Sequence, residues 1–516
     1  MNIWLHELNG RMFRVGGLVI GLALITRLPG LVGRPLWYDE AFAVLFSAKG
    51  VPAMVQGTLQ TQGAVAADVH PLLYYALLGV WQRVFGSGVL SVRSLSLVLG
   101  LIVVALGYGL ARRSLGVSAG MGAGLWLAIS PFQVHYAQEV RMYVLLTALL
   151  LAATWAFWEA RLGAGAWAWI AFGVLAAAAQ YAHTLAAFYL LPLALIPWLE
   201  KRWRLGVRTV WAGLLATALY LPWLIYLPSQ VARLSWAYWI GRPGGAEVLR
   251  TLMTFVADRP VPAWPNWGIA VVLFVALLSF GVLAWHLLRP REAGAGRLAA
   301  REYGWLATAP VAFLFAASWV QPVYLDRALL PSAAALALVL GWWVTRRQIP
   351  LIQRSTVAAG LAACCVLGLV GFYSYRGFPH APFEELDQYL QTHLASDEVI
   401  LHSNKLSALP AVYYAPDLPH HYLADPPGSD SDTLALSTQM VLGWIADSDA
   451  AAATRGQAGV WFIQFRQERD DYAELGFAIP PALDWLQRNF ESVSSLTLGD
   501  LEITHFRLPD AGLPDV

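Results

Sequence analysis

The chain has 516 residues, of which 58% are hydrophobic and 13% charged, and its formal net charge is +1. The charged share is about half that of ordinary soluble domains, and the apolar residues come in long blocks rather than amphipathic stripes, which excludes a wholly water-soluble protein. The near-neutral total hides an asymmetry: residues 1–375 hold 27 of the 34 Lys and Arg but 12 of the 33 Asp and Glu, whereas residues 376–516 hold 7 and 21.

The N-terminal stretch MNIWLHELNGRMFR lacks the compact basic start and cleavage site of a signal peptide, so the first apolar block is expected to be retained. Blocks of about 20 apolar residues read as membrane-spanning helices. Eleven are expected, near residues 15–33, 89–111, 115–131, 141–159, 166–182, 184–199, 207–227, 266–288, 303–320, 327–345 and 356–374. Between the first two lies an outer loop, 34–88, that opens with GRPLWYDEAFAVLFSAKG. Its two apolar helices, near 39–48 and 70–85, are too short to cross and are expected in or on the interface. The stretch GAEVLRTLMTFVADRPVPAWPNWG reads as a long outer loop with helical turns. The only cysteines, Cys364 and Cys365, are neighbours inside an apolar block and give neither metal spacing nor a disulfide framework.

The expected fold is therefore a polytopic α-helical membrane protein of about 11 spans (residues 1–375), followed by a small soluble α/β domain (376–516). In that second piece a helix near 382–395, strands at DEVILHS and AGVWFIQF, a helix at PPALDWLQRNF and a closing hairpin at SVSSLTLGDLEITHFRL are expected. HH at 420–421 and DSD read as loops, without a third ligand at metal spacing. With the N-terminus inside, 16 of the 27 basic residues of 1–375 fall in short cytoplasmic segments, as the positive-inside rule requires. An odd number of spans then puts the C-terminal domain outside the cell membrane.

The same topology sorts the ionisable residues. Asp39, Glu40, Asp68, Glu139, Glu247, Asp258 and Asp326 fall on the outer side, with His70, His135, Arg141, His183 and Arg327 at outer helix ends. A cluster of this kind at one membrane surface is a candidate site. If the donor were a sugar on a polyprenyl phosphate, a carboxylate (Asp39 or Glu40) could take the proton from an acceptor hydroxyl. Arg141, His183 and Arg327 could face the departing phosphate, and the spans would hold the lipid.

The segments LWYDEAFAVLFSAKG, HPLLYYALLGVWQRVFGSGVLSVRSLSLVLG, SPFQVHYAQEVRMYVLLTALL and QPVYLDRALLPSAAALALVLG, in that order, resemble bacterial members of glycosyltransferase family 39. That family includes the protein O-mannosyltransferases and the lipid A aminoarabinose transferase, in the membrane-embedded GT-C superfamily. The resemblance implies a polyprenyl-phosphate-linked sugar donor, a hydroxyl acceptor on protein, lipid or glycan, transfer at the outer face with inversion, and an acidic residue of the first outer loop at the reaction centre. That residue is Asp39, with Glu40 beside it. Arg141 corresponds to an arginine after the third span, and Arg327 to the family's RYLLP-like stretch. Here that stretch is RALLP, with Ala328 replacing the tyrosine, and HPLLYY lacks the second proline that often follows the histidine-proline pair.

Each assignment has a plainer counterpart. Asp39 could simply cap a helix starting at Glu40; Glu40 could hold an acceptor, bind a metal or support Asp39. Asp68 and His70 could merely open a loop helix. Glu139 and Arg141, two apart, would not share a helix face, so one would face the cavity and the other the headgroups. His183 could be a hydrogen-bonded helix-end histidine, and Asp326 could neutralise Arg327. Trp37 and Tyr38 are the aromatic residues expected to contact substrate; most other Trp and Tyr form interface belts. No cofactor is required, although the adjacent Asp39 and Glu40 could hold a divalent metal. No nucleotide-binding glycine loop is present, and no nucleic acid is expected as a partner. The rival reading is a lipid or glycan transporter or flippase, which should place carboxylates near the bilayer midplane in inverted repeats; the acids here keep to one surface.

Overall fold

A computed structural model of the chain describes residues 16–59, 70–234, 240–259, 264–289, 295–425 and 433–509. It divides into two compact units. One contains the chain up to Leu31 with Leu90–Ile225 and Ile240–Tyr375; the other contains Val32–Val89, Tyr226–Trp239 and Arg376–Val516. The first outer loop, expected with the spans, thus groups with the C-terminal piece.

In the first unit every expected span is helical. Among the described residues, six helices are long and apolar enough to cross a membrane: Val89–Leu115, Tyr143–Arg161, Trp203–Leu224, Asn266–Leu288, Asp326–Val344 and Leu351–Ser374. Four shorter apolar helices, Gly16–Arg27, Val117–Ile129, Ala166–Ala182 and Thr184–Leu199, fall where four more spans are expected. The block near 303–320 lies in the helix Ala295–Ser318, and the long loop after residue 244 contains the helix Gly245–Ala257.

Burial separates these helices into a centre and a periphery. In Asp326–Val344, 89% of the apolar window is buried, against 22% in Trp203–Leu224 and in Asn266–Leu288. A helix that is apolar all round and buried all round is a core element; the peripheral ones leave Trp211, Leu214, Phe274 and Leu278 exposed for lipid. The central helix crosses Val117–Ile129 so closely that a Cβ on Gly341 would lie 2.4 Å from the Ala119 carbonyl oxygen. Small residues at such crossings let backbones approach without a side chain between them.

Buried arginines complete the helix ends. Arg27, wholly buried, donates to the carbonyls of Ala128 (3.1 Å) and Leu127 (3.0 Å), which the end of Val117–Ile129 leaves without intrahelical partners. Gln138 in turn donates to the carbonyls of Arg27 and Pro29.

In the second unit, Tyr38–Ala48 packs on Leu73–Phe85 through Phe42, Phe46 and Tyr75. Gly79 sits at the crossing, where a Cβ would be 2.7 Å from the Ser47 carbonyl oxygen, and Gln82 donates to the Ser47 hydroxyl at 2.6 Å. A further helix, Val51–Leu59, receives the C-terminal helix Leu436–Leu442: the hydroxyls of Ser437 and Thr438 both donate to the Gly57 carbonyl.

The five strands of this unit are β1 (Glu398–His402), β2 (His420–Tyr422), β3 (Gly459–Phe465), β4 (Glu491–Leu498) and β5 (Leu501–Arg507). Their order is β2-β1-β3-β5-β4, with β2, β1 and β3 parallel and β5 antiparallel to both β3 and β4. β1 and β3 are buried along their whole length, as strands covered on both faces must be. Phe383, Leu386 and Leu390 cover one face and Leu483 and Leu486 the other. The expected strands, both expected helices (Phe383–His393 and Pro481–Asn489) and the hairpin are present. The His420-His421 pair, expected in a loop, belongs instead to β2, which pairs with β1 from Ile400 to His402. Three residues between turns carry too little pattern to register as a strand.

Candidate active site

The candidate residues fall in both units. Trp37, Tyr38, Asp39, Glu40 and His70 belong to the second, Glu139, Arg141, His183 and Arg327 to the first. Asp68 lies outside the described residues.

In the second unit the helix begins at Tyr38, two residues earlier than a capping role for Asp39 would need. The N-cap is Trp37, in extended backbone and without a side-chain cap. Asp39 and Glu40 both lie in the first turn, where carboxylates interact favourably with the helix dipole. Asp39 is half-buried and Glu40 is buried. The two acids therefore differ in exposure, Asp39 being partly accessible and Glu40 not. Trp37 meets His380 edge-on, with ring centroids 6.4 Å apart. His70, half-buried, precedes the helix Leu73–Phe85 by three residues.

In the first unit the chain breaks after Val117–Ile129, makes the short helix Pro131–Tyr136 with proline at its first position, and crosses a non-helical turn before Tyr143–Arg161. Glu139 and Arg141 lie in that turn, and the Arg141 N–H donates to the Glu139 carbonyl at 2.8 Å. Both side chains are buried, so the expected division between cavity and headgroups does not occur: without a helix there, the spacing rule that suggested it does not apply.

The same end of the unit gathers charges and aromatic rings from several helices. His135 Nδ1 stands 2.7 Å from Asp258 Oδ2. Asp258 ends the helix Gly245–Ala257 at φ +64°, in the left-handed half of the map that favours glycine. Arg259 grips Asp326 with both nitrogens of its fork, Nε donating to Oδ2 at 2.9 Å and Nη2 to Oδ1. Asp326, expected to neutralise Arg327, also has its carboxylate held by Arg259, interacts with the Arg327 charge and accepts from the Arg327 backbone N–H at 2.7 Å. The Arg327 guanidinium lies over the Tyr143 ring, 5.3 Å from its centroid. Tyr143 also adjoins Tyr136 and His183, at 5.2 and 5.6 Å between centroids.

His183 is buried and caps the turn Thr184–Ala186, its Nδ1 accepting from the Leu185 N–H at 3.1 Å. In a neutral imidazole this places the proton on Nε2. Arg259 and Tyr143 are the members of this cluster that the sorting of charges did not single out. Arg259 finds its partner 67 residues away, beyond any local spacing. Among the described residues, no group of three or more His, Cys, Asp or Glu side chains could hold a metal ion.

The chain, with its small C-terminal sheet domain, shares its fold with solved proteins that include ArnT and an archaeal oligosaccharyltransferase. The chain is similar to ArnT from Cupriavidus metallidurans in the apo state, with a TM-score of 0.62 at 13% identity over 97% of this chain and 98% of that one. The same enzyme bound to undecaprenyl phosphate gives 0.60 at 13% identity, over 96% and 98%. The Archaeoglobus fulgidus oligosaccharyltransferase in complex with zinc and sulfate gives 0.52 at 11% identity, over 94% of this chain and 72% of that one. Residues 69–226 match the family described as dolichyl-phosphate-mannose-protein mannosyltransferase. That match includes His70, Glu139, Arg141 and His183, and leaves out the Trp37–Glu40 stretch and Arg327. No curated protein sequence matches the chain.

Proposed function

We propose that the chain is an integral-membrane glycosyltransferase that moves a sugar from a polyprenyl-phosphate donor to a hydroxyl acceptor. The acceptor oxygen attacks the anomeric carbon, the bond from that carbon to the phosphate oxygen breaks, and the polyprenyl phosphate leaves with the electron pair. One displacement inverts the anomeric centre. Asp39 takes the acceptor's proton. Arg141 and Arg327 bear the charge of the leaving phosphate, and the His183 Nε2–H donates to it. Glu40, Trp37, Tyr38, His70 and Glu139 shape the substrate site.

The observation that carries this reading is the gathering of Arg327, Tyr143 and His183 at one end of apolar helices, with the buried Arg141 two residues before Tyr143, in a chain that shares its fold with a protein seen bound to undecaprenyl phosphate. An anionic headgroup on an apolar tail needs this pairing of cations with a greasy wall. No match favours a transporter. The distribution of basic residues supports a cytoplasmic N-terminus and an extracytoplasmic C-terminal domain; labelling of single cysteines at 204 and 448 in intact cells, without Cys364 and Cys365, reads this, and reaction from outside at 204 alone would reverse it. A divalent ion on Asp39 and Glu40 would need further ligands from phosphate and water, and transfer that stops with EDTA and returns with Mg²⁺ or Mn²⁺ would establish it.

The test is sugar transfer by the purified chain from a matched polyprenyl-phosphate donor. Asp39→Asn keeps the shape of the side chain and removes the base. It should fold and bind the lipid yet lose transfer by at least about a hundredfold, the lower range of general-base help, with Glu40→Gln losing less. Near-normal turnover of Asp39→Asn would reassign the base, with Asp68 and Glu139 next in line.

A further inference from the structure

The stretch that carries Asp39 is gripped from four sides by the C-terminal sheet domain, within one compact unit. The Tyr414 hydroxyl accepts from the Leu36 N–H at 3.0 Å. His380 Nδ1 stands 3.1 Å from the Pro35 carbonyl, and its ring meets Trp37. The helix Lys405–Tyr414 lies against Tyr38–Ala48. At the first position of that helix, Lys405 places its Nζ over the Tyr38 ring, 5.6 Å from the centroid.

Lys405 is 8% exposed. Buried lysines are rare, because an ammonium loses strong hydration and must recover it from its surroundings. Its position is also unfavourable for the helix it begins, since the N-terminal end of a helix carries partial positive charge. Asn404 supplies the cap for that helix, its Oδ1 accepting from the Leu406 N–H at 2.8 Å, so helix formation gives no reason for a lysine here. What surrounds it does: an aromatic face attracts a cation within about 6 Å, and the two residues after Tyr38 are Asp39 and Glu40. The location in the domain fits this as well. Lys405 follows the carboxyl end of β1, beside the parallel neighbours β2 and β3, and that edge of an open α/β sheet is where ligands bind.

We infer that Lys405, delivered by the C-terminal domain onto Tyr38, is a positioning residue for the transfer reaction, holding the Trp37–Glu40 stretch in its reactive placement. The domain then completes the active site rather than merely capping it. This rests on the reading of Asp39 as base, and its effect belongs to the chemical step: a small displacement of a reacting group lowers turnover without touching the binding of the lipid.

Lys405→Met keeps the length and apolar stem and removes the charge; Lys405→Arg keeps the charge and its contact with an aromatic face. In the full-length protein in nanodiscs, Lys405→Met should lower kcat by about tenfold to a hundredfold, with the donor KM and the unfolding temperature close to the parent values. Lys405→Arg should recover part of the loss, and in an Asp39→Asn background Lys405→Met should have little further effect, because both act on one step. Unchanged kcat in Lys405→Met, with Asp39→Asn inactive, would overturn this inference and leave the base assignment standing. Equal losses in Met and Arg variants accompanied by a collapsed unfolding temperature would also overturn it, since that is the signature of a structural role. Normal turnover in Asp39→Asn would instead remove the base assignment on which the inference depends.

Discussion

The two ends of the helical unit use the same residue types for different ends. At the basic end, Arg161 lies among three helices and closes its own circuit: its Nη1 and Nη2 donate to Glu302 at 2.9 and 3.1 Å, and Nη2 also donates to Glu200 at 2.7 Å. Its guanidinium rests on the Phe157 and Trp158 rings. One fork thus holds two carboxylates and ties Tyr143–Arg161 to its neighbours. At the other end Arg259 performs that locking duty on Asp326, and a second arginine, Arg327, stands on an aromatic floor shared with a histidine. The contrast is between arginines whose forks are filled by carboxylates, Arg161 and Arg259, and Arg327, whose guanidinium lies on an aromatic ring beside a histidine and to which the proposed function gives the donor phosphate.

That contrast makes opposite demands on two substitutions. Arg161→Ala leaves Glu302 without its cation and Glu200 with only Arg202, 3.9 Å away. Breaking a buried pair of this kind costs about 3–5 kcal/mol, so the unfolding temperature should drop steeply while turnover per folded molecule stays near the parent value. Loss of turnover in the folded fraction would mean that the basic end also takes part in the chemistry. Arg327→Ala should do the reverse. Removing one charge-assisted contact to phosphate, worth about 1.5–3 kcal/mol, weakens binding of a polyprenyl phosphate roughly tenfold to a hundredfold and leaves the unfolding temperature little changed. Arg327→Lys should restore only part, because the planar fork is lost. Lipid binding unaffected by Arg327→Ala would place this arginine with the structural ones.

A smaller effect is expected in the C-terminal sheet domain, where buried ionisable groups pull in opposite directions. His402 and His420 are buried against each other, with Nε2 and Nδ1 3.1 Å apart. Burial holds His402 well below the usual histidine range and lowers His420 to about 4. Both stay neutral when folded but take a proton when unfolded below about pH 6.5, so they reduce stability as the pH falls from there towards 4. Burial raises the carboxyls of Asp387 and Glu468 each to about 8. These stay protonated when folded but ionise in the unfolded chain above about pH 4–4.5, so they reduce stability as the pH rises from there to 8. The two pairs oppose each other below about pH 6.5, and only the carboxyls act above it. The domain's unfolding temperature should therefore fall by several degrees between pH 6.5 and 8, since about 1 kcal/mol corresponds to roughly 3 °C at this size. Asp387→Asn should flatten that slope; a slope unchanged by it would show that Asp387 ionises in the folded domain.

The sequence made the spans legible because each is a long apolar block, and a block needs no partner to be recognised. Asn266–Leu288 coincides with its expected limits. The soluble domain's central strands were legible for a related reason: VILH and VWFIQF are short apolar runs between turns. What stayed hidden depends on distant pairing. Asp326 looks in sequence like the partner of Arg327 alone and in space is shared with Arg259. Lys405 is a lone lysine at the start of an ordinary helix until Tyr38 is seen beneath it. The helix start at Tyr38 rather than Glu40 was missed because Trp37, at the N-cap, makes no side-chain bond there, so no capping signal marks it.

The central claim is that the ionisable end of the helices, and not the basic end, receives the phosphate of the donor. An experimental structure of the chain with undecaprenyl phosphate tests it most directly. The account predicts phosphate density within hydrogen-bond distance of the Arg327 or Arg141 guanidinium, with the chain of the lipid along the apolar helices. Phosphate density at Arg161 and Glu302, or a lipid that binds nowhere near Arg327 and Arg141, would contradict it.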